Sequence, residues 1–124
     1  MIEGLVLEPV QGEFDVAAIA EYLDSQPTTA RDPQEPRRFL LSANPKWLDE
    51  AVAKRRAGEQ SISHSVIVVF PVASCVDIGM RTTDTEPARL FVEWLRARQP
   101  IRILDDDGND HTDRCRDNLD LLFT

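Results

Sequence analysis

The chain is poor in the residues that carry most enzyme chemistry. Its 124 residues include two cysteines, two histidines and five glycines. The glycines are scattered, so none builds a glycine-rich loop that could cradle a phosphate. There is no Gly-x-Ser-x-Gly elbow for a nucleophilic serine. No apolar run approaches the length of a membrane span. The start, Met1-Ile2-Glu3-Gly4-Leu5, has neither the basic opening nor the apolar core of a signal peptide. These absences predict a cytoplasmic protein that does not associate with membranes.

The few metal-binding residue types are badly spaced for a metal. His111 and Cys115 are four apart and would share a helix face. With His64 and Cys75 they form a nominal Cys2His2 set. Zinc ligands come in close pairs, and the ten residues between His64 and Cys75 are too many for one. No cofactor is expected. A cytosolic chain is kept reduced, so Cys75 and Cys115 read as free thiols, with Cys75 as a small buried hydrophobe. Ser63-His64-Ser65 suggests a nucleophile beside a base. Neighbours along a strand point to opposite faces, so these residues are poorly placed to act together.

What is present is an ordinary core and an excess of acid. Hydrophobic residues make up 42% and charged residues 29%, the balance of a globular chain rather than a disordered one. The length suits one domain, residues 1–124. Net charge is −8, unevenly spread. Residues 1–30 carry six acids and no Lys or Arg, and residues 100–124 carry seven Asp against three Arg. Residues 31–63 lean the other way, with seven basic and five acidic groups. An acidic domain repels phosphate backbones, so nucleic acid is not an expected partner. It attracts basic proteins instead.

The periodicity predicts an α+β fold in the order β-α-β-α-β-β-α-β-α. Ile2 to Val10 reads as a strand. Asp15 then caps a helix with Val16, Ile19, Ala20 and Leu23 on one face, and Phe14 and Ile19 stand at staple spacing. Residues 24–36 hold three prolines and little to bury, which predicts a long exposed loop. Phe39 to Leu41 is a short strand. Asn44-Pro45 starts a helix with Trp47, Leu48, Ala51 and Val52 inward and Lys54, Arg55 and Arg56 in its last turn, opposing the helix dipole. That basic cluster is also a candidate anion site. Ser65 to Phe70 and Cys75 to Met80 read as paired strands. A helix over 86–98 carries the stripe Leu90, Phe91, Trp94 and Leu95. Ile101 to Leu104 is a strand, and a last helix starts at Thr112 or Asp113. Helices packed on one face of a mixed or antiparallel sheet follow, ferredoxin-like with additions, with a small open α/β sheet as the alternative.

The residues after the last strand, Asp105-Asp106-Asp107-Gly108-Asn109-Asp110, are the one concentrated chemical feature. An apolar strand followed by Asp-x-Asp-Gly resembles the first motif of haloacid-dehalogenase-type phosphatases. The resemblance implies Asp105 as nucleophile and Asp107 as acid/base beside a magnesium ion. It covers only those few residues. In that family the motif opens the domain, whereas sixteen residues follow Gly108 here, and Asn109 stands where Thr is usual. A calcium loop is excluded, because with Gly108 at the sixth position Ile103 and Arg114 occupy the first and twelfth, where oxygen ligands are needed. Asp, Asn and Gly also make turns, by side-chain bonds to the backbone and by positive φ.

The composition therefore favours a small, acidic, non-enzymatic protein that binds a basic protein partner, in the manner of an immunity, antagonist or adaptor protein. Asp105, Asp106, Asp107 and Asp110 are the expected contact residues. Two alternatives stand beside it. One is a divalent-metal enzyme using strand-end carboxylates Asp77, Asp105 and Asp107. The other is a small-molecule binder using the sheet face or the Arg-rich helix end.

Overall fold

A computed structural model describes residues 2–60 and 65–123. Six strands form one antiparallel open sheet with three helices interspersed. The strands are β1 (Gly4–Pro9), β2 (Thr29–Arg31), β3 (Phe39–Leu41), β4 (Ile67–Pro71), β5 (Val76–Gly79) and β6 (Ile101–Asp105). The helices are α1 (Val16–Asp24), α2 (Pro45–Arg56) and α3 (Glu86–Arg98). In space the strand order is β2-β3-β4-β5-β1-β6. Without β2, β3 and α2 the chain order is β-α-β-β-α-β. The extra unit widens the sheet at the β4 edge.

Alternation along the strands sorts the core into two parts. Leu5 and Leu7 of β1 face Ile78 and Val76 of β5, and Ile103 of β6, on one side of the sheet. Ile19 and Leu23 of α1, and Ala88, Phe91, Val92 and Leu95 of α3, close over that side. Ala30, Leu40 and Val68 pair across β2, β3 and β4 on the opposite side. There they meet Leu48, Ala51 and Val52 of α2. The one-face arrangement thus holds for α1 and α3, while α2 lies on the other face. The alternation of β4 accounts for its continuous apolar sequence, since Val68 is needed on the α2 side and Ile67 and Val69 on the α1 side.

The expected helix signals are in place. Asp15 accepts from the Ala18 backbone N–H, and Asn44 accepts from those of Lys46 and Trp47. Phe14 and Ile19 are both buried, as the staple requires. The stripes need correcting in detail. Trp47 and Leu90 are exposed and Trp94 is only partly buried, while Ala88 and Val92 on α3 join the interior; Leu48, Phe91 and Leu95 are buried as expected. Cys75 is only partly covered, and Cys115 is the fully buried thiol.

Two segments differ from expectation. Residues 24–36 are not all loop: Thr29–Arg31 forms an edge strand against β3, short enough that its flanking prolines stay outside the pairing. Asp32 next to it is buried. The last helix does not form. After Thr112 the backbone makes isolated turns and then a 3-10 turn, Leu119–Leu122. Asp110 and Asn118 bond nearby amides with their side chains, at Thr112 and Asp120. Such bonds offer the backbone an alternative to a continuous helix.

Candidate functional site

The acidic run is built on an unusual strand end. Ile101, Ile103 and Asp105 alternate onto the core side of β6, so Asp105 is directed toward the interior and is 9% exposed. The chain then turns at Gly108, whose φ of +86° suits glycine. It returns along β6, bridging Asp110 to Leu104. The Asp105 amide donates to the Asn109 carbonyl at 2.9 Å, and the His111 amide to the Ile103 carbonyl at 2.8 Å. The Thr112 hydroxyl accepts from the Ile103 amide at 2.9 Å. This return covers the outer edge of β6 at Ile103 and Asp105, which blunts that half of the edge against pairing with another chain.

The Asp105 carboxylate is the organising group. Oδ1 accepts from the Asp107 and Asn109 amides at 3.0 and 2.9 Å. Oδ2 accepts from Asn109 Nδ2 at 3.1 Å and lies 2.7 Å from His111 Nε2. The His111 bond, helped by the Asn109 and Asp107 donors, outweighs burial and holds the Asp105 carboxyl down at about 2. Asp110 is also lowered, mainly by the Thr112 side chain and backbone bonds. Asp106 and Asp107 have exposed carboxylates with no hydrogen-bond partner among the described residues. Gly4 lies beside this loop, where an added Cβ would sit 3.4 Å from the Asp106 Cβ.

The four expected contact residues are therefore brought together, but they are not equivalent. Asp105 is spent on the loop itself, and Asp106, Asp107 and Asp110 are displayed. The phosphatase-like role for Asp105 finds no support in this geometry, because both carboxylate oxygens are already engaged by donors. The carboxylate trio also separates. Asp77 pairs in register with Val6 on the open face of the sheet, while Asp105 pairs with Leu5 on the core face. One oxygen from each of Asp105, Asp106 and Asp107 does lie within 4.8 Å of the others. His64 lies outside the described residues.

The basic cluster at the end of α2 divides in the same way. Arg55 is buried, with its Nε 2.9 Å from Asp32 Oδ2 and its Nη1 2.6 Å from the Glu59 carbonyl. Lys54 and Arg56 remain exposed. Between α1 and α3 a crevice lined by Tyr22, Gln26, Thr29, Leu90 and Phe91 holds about 10 Å³. That is room for about one water, far below the several hundred Å³ of a small-molecule site.

No family model, curated protein or solved structure matches this chain. Among the described residues no helix is long and apolar enough to cross a membrane.

Acid should expose the role of Asp105. Its folded value lies below the ordinary 3.8, so the stabilisation it brings is complete above about pH 4 and is lost as pH falls toward 2. Urea midpoints measured between about pH 5 and pH 2 should fall more steeply for the wild type than for Asp105→Asn. Equal slopes would remove Asp105 from this role.

Proposed function

We propose that this protein is a non-enzymatic binder that meets a basic protein surface with the loop 105–110. The supporting observation is the division of labour in that loop. One carboxylate is buried to fix the backbone, and Asp106, Asp107 and Asp110 are held exposed beside it. Like charges confined to a short fixed loop repel, and an Arg- or Lys-rich surface relieves that repulsion. The reading belongs with immunity, antagonist or adaptor proteins, which act by covering a partner rather than by turning over a substrate.

The experiment is kinetic. A partner is captured on the immobilised protein, and association rates are measured at two ionic strengths for the wild type and for Asp106→Asn/Asp110→Asn. Charge acts mainly on encounter, so the variant should associate several-fold more slowly, with a flatter salt dependence. Asn at 110 can still cap Thr112, so folding should be intact. Unchanged rates and salt slope would reduce the loop to solvated surface. Saturable magnesium binding by the wild type, lost in Asp106→Asn, would move the function to a metal site.

A further inference from the structure

The Asp105 carboxylate has a histidine partner whose second nitrogen is also occupied. Arg114 Nε lies 3.1 Å from His111 Nδ1, and Arg114 Nη2 lies 3.3 Å from the Leu121 carbonyl. A guanidinium can only donate, so Nδ1 accepts and the neutral ring carries its proton on Nε2, facing Asp105 at 2.7 Å. The result is a relay from the Leu121 carbonyl through Arg114 and His111 to Asp105. It links the 3-10 turn to the acidic loop.

Protonation changes only one side of this relay. A hydrogen on Nδ1 would point at the Arg114 N–H, opposing two donors and two positive charges. On the other side, Nε2–H to Asp105 becomes a charge-assisted bond and strengthens. The remaining charged neighbours do not reverse this. Asp110 in the loop acts on His111 through its charge and is itself faced by Arg102 of β6. Arg96 of α3 is committed to the Cys115 carbonyl at 3.0 Å. Arg114 is exposed, so solvent can take it when the ring lets go.

We propose that His111 is a proton-operated latch: neutral, it ties the 3-10 turn to the acidic loop through Arg114, and charged, it keeps Asp105 and releases Arg114. The proton that works the latch is the ring's own and not that of Asp105, whose carboxyl is held down at about 2. The device is independent of what the acidic loop binds.

Nitrogen-15 NMR of the full chain tests it, from about pH 8 to about pH 5. The neutral ring should show the Nε2–H tautomer and a resolved Arg114 Nε–H signal. That signal should be lost as the ring titrates, and the protection factors of the Leu121 and Phe123 amides should fall with it. His111→Gln cannot titrate and should abolish the pH dependence. If that variant does not fold, Arg114→Ala serves, because Arg114 is exposed and Asp105–His111 stays intact. It should show the low-pH protection of the wild type at every pH. An Nδ1–H tautomer, an Arg114 signal that survives the titration, or a pH-dependent Arg114→Ala would overturn the proposal.

Discussion

Arg55→Ala is expected to cost about 3–5 kcal/mol, a loss usually reserved for core residues. Arg55 is 6% exposed and Asp32 2%, so truncation strands a buried carboxylate. Arg38, at 3.6 Å and partly in solvent, can compensate only in part. The Asp32 Oδ1 bond to the Gln34 amide at 2.8 Å and the Arg55 bond to the Glu59 carbonyl make the pair a staple. It ties the segment after β2 to the end of α2, and so secures the unit that widens the sheet. A midpoint shift on the order of 10–20 °C should follow in a thermal melt. Asp32→Leu/Arg55→Met should recover most of the loss, because removing both charges avoids burying either one alone. An Arg55→Ala protein that melts like the wild type would mean that the pair is solvated.

Phe91→Ala should cost about 3–5 kcal/mol as well, by a different route. Phe91 is 1% exposed and lies at the centre of the α1–α3 layer, with Tyr22 and Trp94 ring centroids at 6.2 and 6.4 Å. The sheet beneath cannot collapse into the space, so a cavity remains. Trp94 stacks on Tyr22 at 4.1 Å but is only partly buried, with Arg98 lying over its outer face. Trp94→Ala should therefore lose an aromatic contact of about 0.5–1.5 kcal/mol and part of a burial term, well short of the Phe91 effect. Denaturant titration of both variants decides the order. A larger loss at Trp94 would relocate the centre of this core.

Elements whose signals are local could be read from the residues. Asp15 and Asn44-Pro45 start helices wherever the chain folds, and alternation at Val76, Ile78 and Met80 makes a strand on its own. Thr29–Arg31 has no such signal, because three residues with one half-buried alanine become a strand only by pairing with β3. Arg55 was hidden by its neighbours. Lys54 and Arg56 make a helix-dipole cluster plausible, yet Arg55 continues the inward series Leu48, Ala51 and Val52 at helical spacing, and that was the available clue. Its partner Asp32 lies 23 residues away, beyond any local pattern.

The acidic loop was legible as a place and not as a mechanism. Composition marks residues 105–110, and Gly108 marks the turn. The parity of Ile101, Ile103 and Asp105 already aims Asp105 inward, but only the completed sheet shows that inward means core. The contact between Asp105 and His111 depends on the chain doubling back along β6, which the sequence reading replaced with a helix from Thr112.

On the proposed function, one aspartate of this loop serves the fold and the others serve the surface. Four single variants measured side by side by thermal melting at neutral pH test it most directly: Asp105→Asn, Asp106→Asn, Asp107→Asn and Asp110→Asn. Asp105→Asn should melt well below the wild type, since an amide turns one acceptor into a donor facing the same donors. Asp106→Asn and Asp107→Asn should melt at or slightly above the wild type, as repulsion is relieved, and Asp110→Asn slightly below it, because its charge accepts the Thr112 bonds. Four equal melting temperatures, or a stable Asp105→Asn beside a destabilised Asp106→Asn or Asp107→Asn, would contradict the account.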